Sequence, residues 1–171
     1  MTREYSLWLT LNDASQAHIQ LQRVITTLVD TYEDAPEFEP HLTLVGGVAG
    51  DRQRLRQTVS ALGDITGPLD LAVSGIQCST TAHQCVFCPT EPSLPLLRLR
   101  GQAMAALDRP ESMYVPHLSL VYSDMSLDQR VALADAIDPA ALPDHVQATT
   151  IKLVETSGPV TEWESLHTVP L

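Results

Sequence analysis

Pro40-His41-Leu42-Thr43-Leu44-Val45 and Pro116-His117-Leu118-Ser119-Leu120-Val121 are one hexapeptide written twice, with a single Thr-to-Ser exchange that keeps the hydroxyl. No other feature constrains the fold as strongly. Both copies alternate polar and apolar residues, and on a strand residues two apart share a face. His41 and Thr43 therefore project one way while Leu42 and Leu44 project into a core, and His117 and Ser119 stand in the same way over Leu118 and Leu120. The prolines keep each entry extended. A core needs no matched pair of polar side chains on its strands, so the two copies are read as halves of one site.

The rest of the chain supplies elements around those strands. Tyr5 to Leu11 alternates as a strand, and Asn12, Asp13 and Ser15 offer caps to a helix that runs to about Asp34, with Ile19, Val24, Ile25, Leu28 and Val29 on its packed face. His41 to Val45 is the next strand, closed by Gly46-Gly47 before an Asp51-capped helix carrying Leu55, Val59 and Leu62. Residues 68–76 and 84–88 read as two strands joined by a polar turn into an antiparallel pair. Helices are expected over about 93–107 and 126–137, the second motif strand over 116–122, and two last strands over about 145–155 and 162–169 around Ser157-Gly158-Pro159. The class is α+β, and the length suits one substantial core or two small lobes sharing one, in a single domain over residues 1–171.

Two imidazoles and two hydroxyls on rigid strands suit cleavage of a phosphodiester. One histidine takes a proton from water and the other gives one to the leaving oxygen, a task for which imidazole, with an ordinary pKa of about 6.5, is well placed near neutrality. The hydroxyls would hold non-bridging phosphate oxygens. A bell-shaped pH profile with an optimum between about pH 6 and 8 is expected from such a pair. A metal held by His41 and His117 would want a third ligand that neither motif brings, so no metal and no cofactor is expected. Gly46-Gly47 lacks the lysine and spacing of a P-loop.

With both His-x-Thr/Ser motifs intact, the sequence resembles the two-histidine (2H) phosphoesterase superfamily. Within it the chain is most similar to the plant and yeast cyclic phosphodiesterases, through Tyr5-Ser6-Leu7-Trp8, His117 to Tyr122, and Gly158 followed by Trp163. The resemblance implies a bilobal fold of pseudo-twofold symmetry, two antiparallel sheets lining a central cleft with helices outside. It also implies that Tyr122 lines the phosphate cleft and that Trp8 or Trp163 lies near the substrate base. Implied substrates are nucleoside 2′,3′-cyclic phosphates and ADP-ribose 1″,2″-cyclic phosphate, with His117 as base and His41 as acid. The chain departs from the plant branch in its cysteines. The superfamily also uses this tetrad on RNA ends, so a 2′-5′ RNA ligase or RNA-end phosphodiesterase is the alternative enzyme, and a non-catalytic nucleotide-binding module the alternative outside enzymes.

A formal charge of −11 opposes long nucleic acids, whose affinity comes largely from neutralised phosphates, but not a small phosphate held at short range. A small cyclic-phosphate nucleotide is the expected partner. No run of about 18 apolar residues suggests a membrane span, and the start shows no secretory pattern, so a cytoplasmic location is the default expectation. Cys78, Cys85 and Cys88 are an odd count that suits reduced thiols. Cys85-x-x-Cys88 as half a zinc site, and a Cys78–Cys85 bridge, stand as alternatives. His18, His83, His145 and His167 lack a hydroxyl partner two residues on in a repeated context and are read as surface or loop residues.

Overall fold

Strand β1 (Tyr5–Leu11) is buried along its whole length because it pairs antiparallel with β2 (His41–Val48) on one side and β7 (His145–Glu155) on the other. Its odd residues Leu7, Leu9 and Leu11 enter the main core, while Ser6 and Trp8 sit on the opposite face and line a cleft. The computed structural model describes residues 3–171. The remaining strands are β3 (Leu69–Ala72), β4 (Gln77–Cys78), β5 (Val86–Pro89), β6 (His117–Val121) and β8 (Glu164–Pro170). All pairings are antiparallel, in the order β3-β7-β1-β2-β6-β5-β4, with β8 also bonded to β7. The expected two sheets are thus two lobes of one curled sheet. They meet at a seam between the motif strands, where Leu42 pairs with Leu118.

Four helices cover the sheet, and local chemistry explains their starts. In α1 (Gln16–Thr31) the Ser15 hydroxyl accepts from the His18 amide at 3.1 Å. Asp51 does the same for α2 (Arg52–Asp64) through the Arg54 amide at 2.9 Å, and Ser93 caps α3 (Leu94–Ala106). Helix α4 (Leu127–Ala136) opens with a reciprocal Ser126/Gln129 capping box; each such cap is worth about 1 kcal/mol. Helix α1 ends three residues short of Asp34 and buries Leu21, Ile25 and Leu28, whereas Ile19 is exposed. None of the helices among the described residues is long and apolar enough to cross a membrane.

The chain order shows the twofold relation. β1-α1-β2-α2 and β5-α3-β6-α4 are the same run of elements, each opening its second strand on a motif histidine. Helix α1 packs on β6 and α3 packs on β2, so each half supports the other's motif strand. Leu42, Leu44, Leu118 and Leu120 are at most 1% exposed, as the alternation requires.

One pairing differs from expectation. Residues 68–76 do not form a hairpin with 84–88. β3 joins β7 in the first lobe, and the chain crosses to the second lobe at Gly75, which adopts φ 70°. Only the following two residues, β4, pair with β5, beside a lone Val73–Thr90 bridge. Alternation marks a half-buried strand and leaves its partner open, and β7 offers Leu69 and Leu71 a core that a short hairpin lacks. The cysteines are free thiols, with Cys85 and Cys88 fully buried and Cys78 partly so.

Candidate active site

Continuing the Leu42–Leu118 register by one residue in each direction sets His41 across from Ser119 and Thr43 across from His117. All four residues line one cleft of about 390 Å³ together with Trp8, Tyr122 and Trp163. Every site residue expected from the sequence is therefore gathered in one place. The seam itself creates the site, because a twofold relation about the Leu42–Leu118 pair brings two copies of a His-x-hydroxyl strand edge to edge.

The two imidazoles are held in the same way. His41 Nδ1–H donates to the carbonyl of Glu39 at 2.7 Å, and His117 Nδ1–H donates to that of Val115 at 2.8 Å. Each bond reaches back two residues past the proline, fixes the tautomer, and leaves Nε2 unprotonated as an acceptor. His41 is 4% exposed and stacks on Trp8, with ring centroids 3.6 Å apart and planes at 9°. The Tyr122 hydroxyl lies 3.3 Å from His41 Nε2. Burial drives the His41 pKa from 6.5 to about 4, against a raising effect of the Glu39 carbonyl and with His117 and Lys152 adding to the fall. His117 is more open and is also lowered, mainly by burial. Without an anion in the cleft both rings are neutral at pH 7.

The hydroxyls differ from one another. Ser119 Oγ donates to the carbonyl of His83 at 3.1 Å, so it must turn from that bond to donate to a phosphate. Thr43 is half-buried at the cleft wall, and its own carbonyl accepts from the Tyr114 hydroxyl at 3.1 Å. Burial pushes the Tyr122 hydroxyl well above its ordinary range, with Ser119 opposing, so it stays a neutral donor.

Several contributors carry no sequence signal. Phe38 stacks on Tyr122 at 4.1 Å and meets His41 edge-on at 5.9 Å. His83, read from sequence as a surface or loop residue, is exposed but stands at the cleft mouth, 5.8 Å from Trp163 and 5.3 Å from Tyr122. The Gln84 amide lies 3.4 Å and 3.5 Å from the ring nitrogens of His117. Glu39, whose carbonyl holds His41, places its carboxylate on Lys152 Nζ at 2.7 Å.

Two buried arginines brace the backbone around the motifs. Arg100 of α3 donates to the Leu44 carbonyl and to Ser112 Oγ, and its guanidinium lies 4.1 Å over the Tyr114 ring. Arg130 of α4 bonds to the carbonyls of Ser79, Thr81, Ser123 and Met125 at 2.7 to 3.2 Å, holding the loop that carries His83 and Gln84. No group of three or more His, Cys, Asp or Glu side chains suited to a metal occurs among the described residues.

With this geometry in view, the chain matches the model of the family described as cyclic phosphodiesterase-like protein over residues 1–171. A 2′,3′-cyclic-nucleotide 3′-phosphodiesterase of Yarrowia lipolytica is 26% identical over 210 aligned positions, covering 94% of this chain and 96% of that protein. Among solved structures, E. coli LigT complexed with 3′-AMP superposes with a TM-score of 0.66 at 15% identity, covering 99% of this chain and 98% of that one. The TT0787 protein of Thermus thermophilus gives a TM-score of 0.64 at 16% identity over 98% and 97% of the two chains. Both likenesses extend over the whole fold.

Proposed function

The chain belongs to the cyclic phosphodiesterase-like family of two-histidine phosphoesterases, and from that premise we propose that it hydrolyses small cyclic phosphodiesters without a metal, with His117 as general base and His41 as general acid. The substrates in view are nucleoside 2′,3′-cyclic phosphates and ADP-ribose 1″,2″-cyclic phosphate. The observation that carries the reading is the seam, where two equivalently tethered imidazoles turn Nε2 toward one cleft that also holds both motif hydroxyls.

In the reaction, Thr43, Ser119 and Tyr122 donate to the non-bridging oxygens. His117 Nε2 takes a proton from water as its oxygen bonds to phosphorus. The bond from phosphorus to the 3′-oxygen breaks, and His41 Nε2–H delivers its proton to that oxygen, leaving a nucleoside 2′-phosphate. The roles follow access and dielectric. His117 is the more open ring, where a water reaches it, whereas His41 lies in the drier wall, where the charge of a bound phosphate is least screened and raises an imidazole pKa most. Tyr122 then exchanges its role at Nε2 from donor to acceptor.

The test is turnover of adenosine 2′,3′-cyclic phosphate. Wild type should release adenosine 2′-phosphate, and His41→Ala or His117→Ala should each fall by about 10²- to 10⁴-fold, the usual worth of a general acid or base. Unchanged turnover in either variant would remove that histidine from the mechanism. Tight binding of the cyclic nucleotide with no hydrolysis by wild type would favour a binding module instead.

A further inference from the structure

The catalytic cleft does not end at the tetrad, and its outlets share one electrostatic character. Past His83 and Tyr122 it runs into a groove of about 700 Å³ whose walls carry Glu33, Asp34 and Asp124. Past Trp8 and Trp163 it meets a second groove bearing the exposed Glu37 and also Glu39, whose carboxylate is neutralised by Lys152. The remaining rim, beside Ser6 and Gly46, carries Glu4. Among the described residues, none of these three cavities is lined by a lysine or an arginine.

The cations that touch the motif-bearing segments are turned to other partners. Lys152 is paired with the Glu39 carboxylate. Arg100 is committed to the Leu44 carbonyl and Arg109 to the carbonyls of Gly46 and Gly47 at 3.0 and 2.7 Å. Arg130 faces four carbonyls behind the loop of His83. The phosphate position is therefore served by neutral hydroxyls, by the neutral His117 ring and by His41, which acquires charge only in the complex. One phosphate monoanion is matched by that set. A second phosphate on the same molecule would lie in an outlet, beyond reach of those donors and against exposed carboxylates, with the net charge of −11 behind them.

We infer that the outlets form a charge filter that sets the substrate class: the site prefers a cyclic phosphate whose diester is its only charge over one bearing further phosphate groups. The inference rests on the hydrolytic reading above and narrows it to nucleoside 2′,3′-cyclic monophosphates with a free 5′-hydroxyl, ahead of ADP-ribose 1″,2″-cyclic phosphate with its pyrophosphate. Exposed carboxylates act through a screened field, so the preference depends on salt.

The decisive comparison is kcat/KM for adenosine 2′,3′-cyclic phosphate with a 5′-hydroxyl against the same nucleotide with a 5′-phosphate, and against ADP-ribose 1″,2″-cyclic phosphate. At an ionic strength of about 0.02 M the 5′-hydroxyl compound should be favoured by about tenfold or more, and the ratio should shrink several-fold at about 0.5 M. The triple variant Glu33→Gln/Asp34→Asn/Asp124→Asn changes exposed side chains only. It should leave the 5′-hydroxyl compound unaffected and raise kcat/KM for the phosphate-bearing ones. Affinity for adenosine 2′-phosphate against adenosine 2′,5′-bisphosphate, by calorimetry, reads the same filter without catalysis. Equal kcat/KM at low salt, or a preference indifferent to both salt and the triple variant, overturns the inference. A salt-dependent preference in binding with no turnover of any cyclic phosphate supports the filter and overturns the hydrolytic reading alone.

Discussion

Replacing His41 with glutamine should remove most of a specific acid sensitivity from the protein. The imidazole has a pKa of 6.5 when free and about 4 in the folded chain, chiefly because it is buried. The folded state thus binds its proton less readily than the unfolded state, and stability present above pH 6.5 is lost as pH falls toward the folded value. The linkage relation puts this loss at about 2 kcal/mol between pH 7.5 and pH 5, and about 3 kcal/mol by pH 4. His117 is shifted in the same direction and stays in both proteins, as do all the carboxylates, so a difference of differences isolates His41. Glutamine is chosen because its amide can still donate to the Glu39 carbonyl. Urea unfolding followed by circular dichroism at pH 7.5 and 5.0 gives the four free energies, and wild type should lose about 2 kcal/mol more than His41→Gln. Parallel losses within about 0.5 kcal/mol would mean that the ring is not held neutral by its surroundings, and the account of Trp8 stacking and burial around it would fail.

The same shifts bear on the rate profile. Because kcat/KM reports the free protein, its bell should lie below the range of about pH 6 to 8 expected from unperturbed histidines, roughly between pH 4 and 6.5, while kcat, measured with the anion bound, should peak higher; coincident profiles centred above about pH 7 would contradict the burial argument. Thr43→Ala and Ser119→Ala should lower kcat by about tenfold, less than either histidine variant, because the other donors remain; steady-state kinetics on the cyclic nucleotide decides this. Incubation with EDTA should leave turnover unchanged, and loss restored by added metal would replace the proton-transfer mechanism. Gly63→Ala should destabilise the fold by about 1 to 3 kcal/mol, read by urea unfolding. A Cβ at that position meets Val169 Cγ2 at 2.7 Å and the Pro170 carbonyl at 2.8 Å, at the contact of α2 with β8.

Much of the site was legible in the sequence because its signal is local and doubled. Alternation alone assigns His41 and Thr43 to one face and Leu42 and Leu44 to the other, and capping residues mark where the helices begin. The structure keeps all of these. Tertiary structure decided which strands meet. Nothing in residues 68–76 says that β3 joins β7 instead of the neighbouring hairpin, and nothing in either motif says that Leu42 faces Leu118. Phe38, His83, Gln84 and the Glu39–Lys152 pair enter the site through that closure, as do Arg100 and Arg130 behind it. The charge state of His41 was likewise beyond the sequence, since a free imidazole titrates near 6.5 and only the stacked Trp8 ring and the closed wall around it remove the water that would stabilise its cation. Period-two alternation and capping are set by neighbours along the chain, whereas desolvation and strand partnership are set by residues brought together from distant parts of the chain.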